Sequence, residues 1–176
     1  GILGEEMGMG KTIELLSLIL SNRAPAGWGQ ASVDRREATL VIVPGALVGQ
    51  WRLEVEEKAP VSAPLWQRSY VPLRHQFRAD FRAFSALQAL EVIEWPQSMP
   101  RPNSTDAKRK KAVVILATYD QASDIAARGF EFWRVCVDEP HCALVARPSS
   151  GRIDVAAVVE HCASIRAGLR WCVTGT

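Results

Sequence analysis

No apolar run in this sequence approaches the ~18 residues that a membrane-spanning helix requires, and no leader with a charged start and an apolar middle is visible. A helical membrane span is therefore excluded for this stretch, and no membrane partner is expected. A marked excess of charge of either sign is lacking as well. A net charge of +2 and a pI near 8.5 create no global field that would argue for nucleic acid, so local clusters must carry any such case. The four cysteines, Cys136, Cys142, Cys162 and Cys172, include no C-x-x-C pair. His141-Cys142 and His161-Cys162 repeat as a couple, yet adjacent residues rarely ligate one metal together. Buried free thiols in a reducing compartment are the simpler expectation over zinc. An initiator methionine is missing, the chain opens inside a loop motif, and it stops at Val173-Thr-Gly-Thr176, so a fragment of a longer protein is expected.

What is present is enough for one domain. A chain of 176 residues, 48% hydrophobic and 23% charged, buries roughly 70% of its unfolded surface on folding. Its organising stretch is Gly1-Ile-Leu-Gly-Glu-Glu-Met-Gly-Met-Gly-Lys-Thr-Ile-Glu14, which reads as a phosphate-binding loop opening into a helix. Gly8 and Gly10 let consecutive N–H groups turn inward as an anion nest. Lys11 supplies a mobile charge for the terminal phosphates, Thr12 a hydroxyl for a magnesium ion, and the helix points its positive end at the anion. The general pattern G-x-x-x-x-G-K-[ST] wants glycine where this chain has Glu5. The alternative is an ordinary helix start.

Downstream, Thr12 to Leu20 predicts a helix apolar on all sides, and Ser21 to Ala38 a surface loop without a packing face. Thr39 to Val43 predicts a strand buried on both faces, followed by a helix over Ala46 to Lys58 with Leu47, Val48, Trp51, Leu53 and Val55 inward and Glu54, Glu56 and Glu57 outward. A short strand is expected at Gln67 to Val71 and a helix over Arg78 to Trp95. Pro96 to Lys111, with its run Lys108-Arg-Lys-Lys111, reads as an exposed insertion. Ala112 to Ala117, Arg134 to Val137 and Leu169 to Val173 predict further strands, with helices near Gln121 to Arg128 and Asp154 to Arg166. Alternating strands and helices imply a parallel sheet with right-handed crossovers and helices on both faces, whose ligands bind at the carboxyl ends of the strands.

Asp138-Glu139 at the tip of the third strand supplies the second half of a nucleotide site. Asp138 would bind magnesium through water, and Glu139 would orient or deprotonate the attacking water. A solvated turn would explain Asp138 alone, but not an acid pair in a chain that already carries a phosphate loop.

Five ordered segments resemble the amino-terminal RecA-like lobe of the Swi/Snf-type DNA-dependent ATPases, in helicase superfamily two, over nearly the whole chain. Glu5-Glu6-Met7-Gly8-Met9-Gly10-Lys11-Thr12 is similar to the family's first motif, where an acidic residue stands at the position of Glu5. Leu40-Val-Ile-Val-Pro44 with Leu47-Val-Gly-Gln-Trp51 and Glu54 resembles the next, and Thr118-Tyr119 the following one. Asp138-Glu-Pro-His141 resembles the D-E-A-H box, and Thr174-Gly-Thr176 the start of the S/T-G-T-P motif. The ending Arg170-Trp-Cys-Val-Thr-Gly-Thr176 looks most like the post-replication-repair branch, whose members often carry RING ubiquitin-ligase modules. Two departures stand out: Pro140 replaces the usual alanine, and Cys142-Ala-Leu-Val145 lacks the basic residue and Lys-Asn that the family carries.

The resemblance implies a single RecA-like α/β P-loop lobe over residues 1–176, with loops at 21–38 and 96–111. It implies ATP and Mg²⁺ as cofactors, a nuclear location, and ATP-driven translocation on duplex DNA. Glu6, Met7, Gly8, Met9, Gly10, Lys11 and Thr12 would hold the nucleotide. Hydrolysis would need arginine fingers from a second RecA-like lobe, and nucleosomes or ubiquitin-pathway proteins are further partners. Pro44, Gln50, Trp51, Thr118 and Tyr119 match strand-tracking positions, while His141, Thr174, Gly175 and Thr176 match coupling positions. Trp51, at an inward helical position, reads either as core or as a base-stacking platform. Lys108 to Lys111 read equally as a phosphate grip, a nuclear localisation signal or a solubilising patch. A non-catalytic scaffold that has lost DNA coupling, and a different P-loop enzyme, are the rival readings.

Overall fold

In a computed structural model, residues 1–6, 8–58, 90–95, 112–141 and 155–175 are described. Six parallel strands form one sheet: β1 (Ile2–Gly4), β2 (Arg35–Val43), β3 (Leu90–Glu94), β4 (Ala112–Thr118), β5 (Glu131–Asp138) and β6 (Arg166–Thr174), in the order β1-β6-β5-β2-β4-β3. Among the described residues the α-helices are α1 (Lys11–Ser21), α2 (Val48–Lys58), α3 (Ala122–Ala127) and α4 (Val155–Ser164). The central strands are apolar on both sides because both sides are covered. On β2, Val41 and Val43 face Leu15, Leu16 and Ile19 of α1 and Trp51 and Val55 of α2. Leu40 and Ile42 face the other way, into the cluster of Ile125 from α3 and Val158 and Cys162 from α4. The expected parallel sheet with helices on both faces is what the chain adopts.

Several local expectations are corrected. Leu90–Glu94 is an edge strand, pairing in parallel with β4, where a helix was expected. Five half-buried residues with Val92 and Ile93 side by side fit either period, and the sheet edge decides for the pleat. The rest of that expected helix, the strand at 67–71 and the insertion at 96–111 lie outside the described residues. The segment 21–38 is not a loop throughout, for β2 already begins at Arg35 and Ala38 is in the core. Within it a 3-10 turn, Trp28–Gln30, lays Trp28 edge-on against Trp133 at 5.0 Å. Both rings close over Gly168, where an added Cβ would come within 2.9 Å of Trp28, so only glycine fits there. Leu53 points to solvent, 55% exposed, because the buried stripe of α2 runs through Trp51 and Val55. Of the thiols, Cys136 is buried, which pushes its pKa up to about 12, and Cys162 is half-buried; Cys172 is exposed rather than buried, and Cys142 lies outside the described residues.

One buried cation ties the carboxyl end of α1 to the middle of the sheet. Arg134 of β5 is 1% exposed and donates to the Asn22 carbonyl at 2.6 Å and to Thr39 Oγ1 at 3.2 Å. Asn22 caps the carboxyl end of α1, where a guanidinium also complements the helix dipole. Replacing Arg134 by Leu would leave the Asn22 carbonyl with only the Trp133 indole N–H at 3.2 Å and take the guanidinium from the Thr39 hydroxyl. The expected loss is about 1–3 kcal/mol of folding stability, read as a lower urea midpoint; an unchanged midpoint would remove Arg134 from this role.

Candidate nucleotide site

Parallel pairing sends the carboxyl ends of β1, β6 and β5 to the same edge of the sheet. The register is level there: Gly4 pairs with Thr174, and Val173 with Asp138. Two inter-strand steps separate the end of β1 from the end of β5, about 9.5 Å. The glycine loop leaves β1 at this edge and returns as α1. Gly8 and Gly10 take φ of 83° and 95°, a left-handed backbone that favours glycine, and neither would crowd a neighbour with an added Cβ. Gly10 stands at the helix N-cap, and its carbonyl accepts from both Ile13 and Glu14. Among the described residues, the N–H groups of Lys11 and Thr12 meet no acceptor, as expected for a first helical turn open to an anion. Lys11 Nζ donates to the carbonyl oxygens of Glu5 and Glu6, each at 2.9 Å, and so spans the loop from inside. Glu6, Gly8 and Met9 are exposed, Thr12 is half-buried, and Met7 lies outside the described residues.

Asp138, 7% exposed, closes β5. Burial pushes its carboxyl above the usual range; a 2.7 Å bond donated by Trp51 Nε1 to Oδ2 opposes this, Glu139 adds to the upward push, Lys11 opposes it, and Glu54 adds to it. The hydroxyl of Tyr119 donates to the Asp138 backbone carbonyl at 2.6 Å. The next residue, Glu139, has φ of 51°, the left-handed region that side chains rarely enter, and among the described residues it is the one non-glycine there. That turn aims its carboxylate at the end of β6. Gly175 N–H donates to Oε1 at 3.0 Å and Oε2 at 3.1 Å, Thr174 Oγ1 donates to Oε2 at 3.4 Å, and His141 Nδ1 lies 3.3 Å from both Thr174 Oγ1 and Glu139 Oε2. On its other side, the Thr174 carbonyl accepts from Glu5 N–H at 3.3 Å. Thr174 and Gly175 thus bridge the glycine loop to the acid pair, while Thr176 lies outside the described residues.

The residues fit a nucleotide and its metal. Among the described residues no group of three or more His, Cys, Asp or Glu could cage a cation. One hydroxyl and one buried carboxylate suit magnesium, which keeps waters and takes phosphate oxygens.

Of the strand-tracking positions, Gln50 is exposed at the start of α2, and Pro44 and Thr118 are half-buried. Thr118 caps the 3-10 turn Tyr119–Gln121. Trp51 resolves to the core, at 3% exposed, and Tyr119 is enclosed at 6%. Of the two readings of Trp51, core or base-stacking platform, its burial supports core. The contact of Trp51 and Tyr119 with Asp138 was missed, although a buried indole N–H or phenol signals a hidden partner.

Strand, glycine loop, helix and acid tip on one edge of a parallel sheet define a RecA-like α/β P-loop domain. The chain belongs to the SNF2-related domain family, which matches residues 1–176. It is similar to the uncharacterized ATP-dependent helicase IRC20 of Saccharomyces cerevisiae, 28% identical over 151 residues, covering 79% of this chain and 10% of that protein. The DNA repair protein rad5 of Neurospora crassa is 25% identical over 205 residues, covering 100% of this chain and 15% of that protein. The chain therefore spans a small part of the relatives it matches. The Sulfolobus solfataricus SWI2/SNF2 ATPase core, solved in complex with double-stranded DNA, shares the fold with a TM-score of 0.52 and 16% identity, over 99% of this chain and 27% of that one.

Positive φ at Glu139 makes a prediction separable from the lost carboxylate. Glu139→Gly and Glu139→Ala both remove the bonds to Gly175, but Gly should leave the fold about 1–2 kcal/mol more stable than Ala in urea denaturation. Equal stabilities would mean that the backbone there is not left-handed.

Proposed function

We propose that this chain is the ATP-binding lobe of a DNA-dependent ATPase, a helicase-like translocase of DNA repair or chromatin remodelling. The observation that carries this reading is a phosphate loop and an acid tip meeting at one sheet edge in a chain of the SNF2-related family. In it, the N–H groups from Gly8 to Thr12 receive the phosphates and Lys11 exchanges the carbonyls of Glu5 and Glu6 for the terminal phosphate. Thr12 and Asp138 hold Mg²⁺, which when bound neutralises phosphate charge, and Glu139 orients the attacking water. Arginine fingers from a second RecA-like lobe, worth ~10³ to 10⁵ in rate, complete the site, so this stretch alone is nearly inactive.

Duplex DNA is the proposed partner. Kinship to proteins named for DNA repair, and to an ATPase core solved with double-stranded DNA, supports this, as does the exposed position of Gln50 beside half-buried Pro44 and Thr118. His141, Thr174, Gly175 and Thr176 would pass the nucleotide's state to the DNA side. A nuclear location, with nucleosomes or ubiquitin-pathway proteins as further partners, follows the same kinship.

A non-catalytic scaffold with lost coupling is a second reading. It is favoured by Pro140 in the acidic motif and by a Glu139 carboxylate already engaged by Gly175 and Thr174. Lys11→Ala in the full-length protein separates the two. On the motor reading it lowers DNA-stimulated ATP hydrolysis by at least ~10²-fold, since a charge aimed at the transition state is lost. Hydrolysis in the parent that is equal with and without DNA, or retained after Lys11→Ala, would contradict the motor.

A further inference from the structure

Among the described residues Asp138 is the one buried carboxylate, and two elements far apart in sequence grip it. Trp51, in α2, donates its indole N–H to Oδ2 at 2.7 Å across 87 positions of sequence. Tyr119, after β4, donates its hydroxyl to the backbone carbonyl at 2.6 Å. The Trp51 ring cannot swing away, because it is itself 3% exposed and packed with Val55, Leu16 and Val43. Among the described residues no donor meets Oδ1. A buried carboxylate with one oxygen pinned and the other free has its rotamer chosen in advance, which is what a metal ligand requires.

Resting on the ATP-site reading above, we propose that Trp51 is a positioning residue for the nucleotide's metal: its indole N–H pins Oδ2 of Asp138 and leaves Oδ1 for the cation, while Tyr119 holds the backbone. Trp51 touches neither nucleotide nor metal and acts only through Asp138.

The test uses W51F, which keeps an aromatic ring and loses the N–H, in the intact protein. A fluorescent methylanthraniloyl-ATP is titrated with magnesium chloride and, separately, with EDTA. W51F should bind the metal-free nucleotide as the parent does, while the enhancement of affinity by magnesium falls roughly tenfold, the worth of a hydrogen bond to a charged group. In a D138N background, W51F should change nothing further, because the two act as one unit. The inference is overturned if W51F keeps the parent's magnesium enhancement, if it loses affinity equally with and without metal, or if its loss adds to that of D138N.

Failure of the underlying ATP-site reading looks different, since the parent itself would then show no magnesium enhancement. Should W51F not fold, indole ¹⁵N–¹H spectra of the parent decide. Trp95 donates its own indole N–H to Asp124 at 2.9 Å, so D124N supplies the control. D138N should displace an indole resonance other than the one D124N displaces, and magnesium methylanthraniloyl-ATP should move that same resonance. An indole spectrum unmoved by D138N overturns the proposal.

Discussion

The level register of β1, β6 and β5 is the constraint on which the proposed nucleotide site depends. Parallel strands carry their carboxyl ends to one edge, and β6, wedged between the other two, sets their spacing. Gly4 opposite Thr174 and Asp138 opposite Val173 place the start of the glycine loop and the acid tip at the same height. A slip of one residue between β5 and β6 would turn every side chain of one strand to the opposite face and separate the two halves of the site. The end of β6 is therefore more than a spacer. Its Thr174 carbonyl takes the Glu5 N–H on one side, and Thr174 and Gly175 take the Glu139 carboxylate on the other.

Charge is handled differently at each end of the strands. At the carboxyl edge the sheet buries an acid, Asp138, and offsets the desolvation with a tryptophan N–H and the field of Lys11. Deeper in the sheet it buries a cation, Arg134, whose guanidinium is spent on the last turn of α1. Among the described residues both buried charged side chains lie on β5, so this strand holds the far end of α1 and carries the acid at the carboxyl edge. Lys11, by contrast, rests on two backbone carbonyls that a stronger anion can replace.

The parts of this arrangement that were legible in the sequence are those with a local signal. Thr39 to Val43 and Ala112 to Ala117 are continuous apolar β-branched runs, and such runs have few homes other than a two-sided sheet. The loop Gly8-Met-Gly-Lys-Thr12 carries its own chemistry in order. Leu90–Glu94 was not legible because its neighbour across the sheet edge, not its own period, makes it a strand. Ile2–Gly4 is three residues long and gives no pattern at all. Trp51 and Tyr119 show the remaining limit. Their inward positions can be read, but the partner that accepts their hydrogens is 87 and 19 residues away, and only the closed sheet brings it there. The strain at Glu139 is likewise invisible, since nothing in Asp-Glu-Pro-His requires a left-handed turn.

The most direct test of convergence between the loop and the acid pair is an experimental structure of the intact protein with a non-hydrolysable ATP analogue and magnesium. The account predicts phosphates within hydrogen-bond distance of the Lys11 and Thr12 N–H groups, Lys11 Nζ moved from the Glu5 and Glu6 carbonyls onto the terminal phosphate, and the metal between Thr12 and Asp138. A nucleotide bound away from this edge, or one whose metal lies out of reach of Asp138, would contradict it.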